Sequence, residues 1–102
     1  MSLKKQYLKA QPACRVTFRL PAAAAYDASK VSIVGDFNDW DIYAIPLKKL
    51  KDGTFTVTIK LDKDREYQFR YLIDENTWEN DWEADKYVAS PYGNAENSVV
   101  IV

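Results

Sequence analysis

The residues best suited to chemistry are tryptophans set in polar, turn-forming stretches. One closes the segment Gly35-Asp36-Phe37-Asn38-Asp39-Trp40, and two more lie in Asp74-Glu75-Asn76-Thr77-Trp78-Glu79-Asn80-Asp81-Trp82. Gly, Asn and Asp form turns by their own local preferences. A large aromatic in such a loop is different: it is either tucked into the core or displayed. Phe37 is expected to plug one end of the core, and Trp40 and Trp78 to be displayed. An exposed indole is a rigid apolar platform whose face meets the C–H face of a pyranose ring. Neighbouring polar groups then satisfy the sugar hydroxyls and fix its orientation. Gln68 and Arg70, on the polar side of their own segment, can supply such groups, as can Asn94 and Asn97.

Other chemistries are poorly served. The chain has no histidine, which removes the usual general base and the commonest neutral metal ligand. Its one cysteine, Cys14, excludes an internal disulfide and multi-cysteine zinc sites. Cys14 lies on the apolar side of an alternating segment and is expected in the core. Carboxylates recur at Asp74, Glu75, Glu79, Asp81, Glu83 and Asp85, read as a solvated loop face. A calcium site is conceivable there, but the EF-hand spacing with its central glycine is missing. A glycosidase would need two carboxylates ~5–9 Å apart flanking the bond. It would also need a walled site that raises one carboxyl pKa, which an exposed loop is ill placed to provide. The expectation is a protein that is not an enzyme, with no cofactor and no metal.

The elements that must position the tryptophans are strands. Cys14, Val16, Phe18 and Leu20 alternate with polar residues, as do Phe55, Val57, Ile59 and Leu61. Tyr67, Phe69, Tyr71 and Ile73 form a third such row. Period-two alternation gives each segment one buried and one wet face. Val31–Val34 and 98–102 are short β-branched runs that read as central strands. Lys51-Asp52-Gly53 is a tight turn joining 47–51 to the second row as a hairpin. Residues 62–65 form a polar turn. Pro21 ends the first row, and Ala22–Ala25 reads as a loop or a single helical turn. Residues 1–12 read as an N-terminal arm, with one domain over 13–102. With 102 residues and a hydrophobic share of 47%, the chain forms one modest core. The fold expected is an all-β antiparallel sandwich of six to eight strands.

The net charge of −1 conceals an asymmetry: residues 1–51 carry +5 and residues 52–102 carry −6. That balance lacks the basic footprint nucleic-acid binding needs. No stretch approaches the ~20 apolar residues that cross a bilayer. The first residues are polar beyond Leu3, so a signal peptide is not expected and a soluble, cytoplasmic protein is.

The order Val31-Ser32-Ile33-Val34-Gly35-Asp36-Phe37-Asn38-Asp39-Trp40 resembles the hallmark of carbohydrate-binding module family 48. That family includes the N-terminal domains of isoamylases and branching enzymes and the glycogen-binding domain of AMP-activated kinase β subunits. Tyr67-Gln68-Phe69-Arg70-Tyr71-Leu72-Ile73-Asp74 with Trp78, and Gly93-Asn94-Ala95-Glu96-Asn97-Ser98-Val99-Val100, resemble its later strands and last turn. The resemblance covers residues 14–102 and implies an immunoglobulin-like early-set sandwich that binds α-1,4-glucans such as glycogen, starch or maltodextrin. It makes Trp40 and Trp78 the stacking residues and Arg70 the hydroxyl donor. Arg70 stands where the family usually has lysine, which keeps the charge and changes the donor geometry. Asn97 matches the asparagine of the last turn, and Tyr92 sits near an apolar residue that inserts beside the ring.

The partners implied are an α-glucan and, in a second reading, a glycogen-metabolising enzyme or other protein, with no nucleic acid and no membrane. In that second reading the fold is kept without sugar affinity. Lys48, Lys49, Lys51 and the acidic 74–85 loop then form complementary patches. Sandwich edges can pair between chains, so a monomer or weak homodimer is expected.

Overall fold

The computed structural model describes residues 3–91 and 95–102. The alternating rows form two antiparallel sheets that face each other across an aromatic core. The first sheet contains β1 (Leu3–Tyr7), β2 (Ala13–Leu20), β4 (Lys48–Lys49) and β5 (Phe55–Asp62), in the order β1-β2-β5-β4. The second contains β3 (Val31–Gly35), β6 (Glu66–Ile73), β7 (Thr77–Glu79), β8 (Lys86–Ala89) and β9 (Glu96–Ile101). Its path runs β3-β6-β9-β8, with β7 also on β6. The result is the all-β sandwich that the alternation predicts, consistent with the early-set, immunoglobulin-like type that the resemblance implies. It has nine strands rather than six to eight among the described residues; β4 is the hairpin partner expected over 47–51, and β1, β7 and β8 are the strands the alternation does not show.

The arm is one correction. Leu3–Tyr7 pair residue for residue with β2, from Leu3 opposite Phe18 to Tyr7 opposite Cys14. Leu3 is buried, and Lys5 reaches Asp85 at 2.7 Å. Three polar residues in five hid this strand's alternation. Val31–Val34 is the other correction: β3 ends its sheet's strand order rather than lying in the middle. Its apolar character survives because a non-strand segment covers its outer edge. Ile33 donates to the Ile45 carbonyl, and Leu47 to the Val31 carbonyl.

The core is held by edge-on aromatic contacts, Phe18 with Phe69 at 5.0 Å between centroids and Phe69 with Tyr71 at 5.8 Å. Cys14 is fully buried among these residues. Ala22–Ala25 forms one helical turn, α1, after Pro21, and 62–65 carry the chain from one sheet to the other.

β6 is the strand that positions the site. Its Gly35-to-Val31 edge is filled by β3. Its other edge is shared: β9 pairs with Glu66–Phe69, and β7 pairs with Tyr71–Ile73. Arg70 falls at the break between those two partners.

Candidate functional site

The first tryptophan is placed by a single turn of 3-10 helix, η1 (Asp36–Asn38), that follows β3 directly. Asn38 shapes it from both sides: its Oδ1 accepts from the Gly35 amide at 3.0 Å, and its Nδ2 donates to the Ile33 carbonyl at 3.1 Å. Gly35 is extended and must be glycine for room, since a Cβ there would lie 2.5 Å from the Gln68 carbonyl oxygen. Phe37 turns inward against Phe18, Tyr67 and Phe69, the core plug expected of it. Asp39 and Trp40 both take left-handed backbone angles, φ 55° and 58°, which reverse the chain. Trp40 is thereby left 36% exposed, on the other side of the turn from Phe37.

The second tryptophan rides on a hairpin. Asp74 and Glu75 have φ of 50° and 65°, and Asn76 donates back to the Ile73 carbonyl. Such a turn matches the twist of the strands it joins. It lays Trp78 directly opposite Leu72 on the outer face of β6, where Leu72 is only 4% exposed. Trp78 itself remains 45% exposed.

Between the two indoles lies a polar floor. Gln68 and Arg70 alternate outward from Phe69 and Tyr71 on β6. Arg70 donates through Nε to the Glu96 carbonyl at 3.0 Å, and Asn80 donates to the same oxygen at 2.8 Å. These bonds bridge the break between β7 and β9. One Arg70 terminal nitrogen is left buried with no hydrogen-bond partner. An unmet charged donor is costly, so an acceptor arriving there is favoured. Asn97 is buried and donates to the Gln68 side-chain oxygen at 3.0 Å.

Trp40, Trp78, Arg70, Gln68 and Asn97 line one open groove of about 1010 Å³ on the outer face of the second sheet. Five of the seven residues singled out in the sequence are therefore gathered in one place. Tyr92 and Asn94 lie outside the described residues. Asp36 also lines the groove, and its part was not foreseen: it accepts from the Trp40 indole at 2.9 Å and from the Gln68 amide at 2.8 Å. Its place beside Trp40 in the turn was visible, but its second bond depends on a strand thirty-two residues away.

The acidic run is not the uniformly solvated face expected. Asp81 is buried at 1% exposure and accepts from the Tyr71 hydroxyl at 2.7 Å. Burial first, then the Asp81 charge and that hydrogen bond, push the Tyr71 phenol well above its ordinary value. Asp74 accepts from the Ser29 and Lys30 amides, and Asp85 from Lys5 and the Ile101 amide. Trp82 is 51% exposed and is not among the groove residues. Among the described residues no three His, Cys, Asp or Glu side chains are grouped to hold a metal ion, and no helix is long and apolar enough to cross a membrane.

The model of carbohydrate-binding module 48 (isoamylase N-terminal domain) matches residues 8–93. Among solved structures, the chain is similar to the apo pullulanase from Paenibacillus barengoltzii, with a TM-score of 0.51 and 26% identity. That match covers 94% of this chain and 14% of the pullulanase, so the chain corresponds to a small part of that enzyme. No curated protein sequence matches. With 86 consecutive residues matched, the chain belongs to the carbohydrate-binding module 48 family.

Proposed function

We propose that the chain is a non-catalytic module that binds α-1,4-glucan, the sugar stacked on Trp40 and Trp78. The observation that carries this reading is the pairing of two exposed indoles across a polar floor with an unpartnered Arg70 nitrogen. Each indole offers an apolar face to one ring of the chain. Arg70 donates to a sugar hydroxyl between them, while Gln68 and Asn97 hold the floor in shape. Tyr92 is proposed as an additional contact beside the ring. The groove is open to solvent, and an open site with a few hydrogen bonds gives roughly micromolar to millimolar affinity. The natural ligand would be glycogen, starch or maltodextrin, met in the cytoplasm, with a glycogen-metabolising enzyme as the neighbour that benefits.

The test is tryptophan fluorescence titrated with maltoheptaose, with cellohexaose as control. A saturable change with the α-linked sugar alone supports the reading. No response on folded protein up to tens of millimolar, a range about tenfold beyond weak module binding, overturns it.

A further inference from the structure

The charge asymmetry between the halves of the chain has no part in the glucan groove. The fold converts it into a feature of one face. In the first sheet, Lys4 pairs with Thr17, Arg15 with Lys60, and both Arg19 and Lys48 with Thr56. All these positions alternate with the core row Val16, Phe18 and Leu20, so they point outward. Lys4, Arg15, Arg19, Lys48 and Lys60 are exposed. Three cations elsewhere in the molecule meet carboxylates, in Lys5–Asp85, Lys30–Glu75 and Lys86–Glu66. None of the five on this face has such an ion pair among the described residues. Two acids share or border the face: Asp62, two residues from Lys60 in the outward row of β5, and Asp52, whose carboxyl feels the Arg19 charge. Part of the face is hollowed, about 670 Å³ lined by Leu3, Lys4, Thr17, Arg19, Leu50 and Thr56.

We propose that the outer face of the β1-β2-β5-β4 sheet docks an acidic protein surface, whose carboxylates meet Lys4, Arg15, Arg19, Lys48 and Lys60. The character of the face selects that partner. The outward positions of β2 and β5 carry no aromatic side chain, so there is no platform on which bases or sugar rings could stack. They carry no large apolar side chain to enter a bilayer either. The threonines are spent on one another and on the backbone: Thr17 with Thr58 at 2.9 Å, and Thr56 to the Phe18 carbonyl at 3.0 Å. What remains is a broad set of unpaired cations, which a carboxylate-bearing surface complements. The face lies on the opposite side of the sandwich from the tryptophan groove, so both can be occupied at once. The patches expected from sequence are revised accordingly. Lys49 is exposed too, but its ammonium is engaged, bonded to the Ala28 carbonyl and 5.7 Å from the centre of the Phe55 ring. The acids of 74–85 are largely committed within the fold.

Poly-L-glutamate binding tests this, with Arg15→Glu/Arg19→Glu/Lys60→Glu set against Lys9→Glu/Lys51→Glu/Lys63→Glu. The two triple variants change net charge equally, and thermal melting confirms that each is folded. The expected result is binding that weakens at least ~10-fold in the face variant and stays within about 2-fold in the control, with a marked loss on raising salt. Equal weakening in both variants overturns the proposal, because net charge alone would then explain binding. So does an absence of binding by the unmodified protein at low salt. Tighter binding of single-stranded DNA or phosphatidylserine vesicles through the same residues also overturns it. None of these readouts depends on glucan, so failure here leaves the groove's reading untouched.

Discussion

Asp36 holds Trp40 from four residues away. Its Oδ1 accepts the indole N–H at 2.9 Å, while its Oδ2 accepts the Gln68 amide of β6 at 2.8 Å. One carboxylate thus ties the displayed ring to the strand that carries the polar floor.

Asp36→Ala is therefore expected to leave Trp40 in place but loosely oriented. Maltoheptaose affinity should fall about tenfold, or ~1.4 kcal/mol. Stability should fall by about 1–2 kcal/mol, the cost of an unpartnered amide at Gln68. Fluorescence titration in a Trp78→Phe/Trp82→Phe background isolates the Trp40 signal. An unchanged affinity would show that the carboxylate does not orient the ring.

Trp40 occupies a left-handed conformation that costs a non-glycine residue ~1–2 kcal/mol. Strain of that kind, at a displayed aromatic, is the price of turning the ring out of the core. Trp40→Ala and Trp40→Gly should both abolish maltoheptaose binding. They should differ in stability, with the glycine variant ahead by up to about 1 kcal/mol, because relief of the left-handed strain outweighs the larger entropy glycine loses on folding. Chemical denaturation of the pair measures the difference, and equal midpoints would place the strain elsewhere.

Much of this was legible in the chain itself. The rows Cys14–Leu20, Phe55–Leu61 and Tyr67–Ile73 announce their strands because one face of each is buried, and period-two alternation records that burial. Trp40 and Trp78 stand out because large aromatics interrupt polar turns. Edge strands leave a fainter record: β1 buries Leu3 and spends its other positions on solvent or an ion pair, so its five residues read as an arm. Asp81 was misread for a related reason. Its neighbours Trp82 and Glu83 are exposed, and although the Glu83 amide donates to its Oδ1, its burial also rests on the Tyr71 hydroxyl at its Oδ2 and on Ser98, which accepts its backbone amide, both distant in sequence. Contacts set by topology leave no local pattern to read.

Gly35→Ala tests how tightly the turn is pressed on β6. The backbone there is extended, so any residue could adopt it, but the added Cβ would sit 2.5 Å from the Gln68 carbonyl oxygen and 2.8 Å from the Phe69 Cβ. The oxygen belongs to fixed backbone, so the turn and strand must part. A loss of about 1–3 kcal/mol is expected, typical of overpacking. Glucan affinity should weaken as well, since the Asp36 bond to the Gln68 amide spans the same gap. A variant as stable as the parent would mean that β3 and β6 can separate freely at this point.

The Tyr71–Asp81 bond predicts how the sandwich fails in alkali. Tyr71 is buried in the core, and its hydroxyl donates to a buried carboxylate at 2.7 Å. Burial and the neighbouring negative charge both disfavour the tyrosinate, so the folded value lies well above 10.0. An unfolded chain has no such barrier and releases that proton near pH 10, the ordinary tyrosine value. Stability from this group is thus fully present below about pH 10 and is lost as pH rises toward the folded value. Tyr71→Phe removes the titrating group but also a donor to the Asp81 carboxylate, for a cost of about 1–3 kcal/mol at neutral pH. The variant should start less stable and lose less on going from neutral to strongly alkaline solution. Urea midpoints across that range, for parent and variant, measure both effects. Parallel curves would mean that Tyr71 ionises as readily in the folded protein as in the unfolded chain.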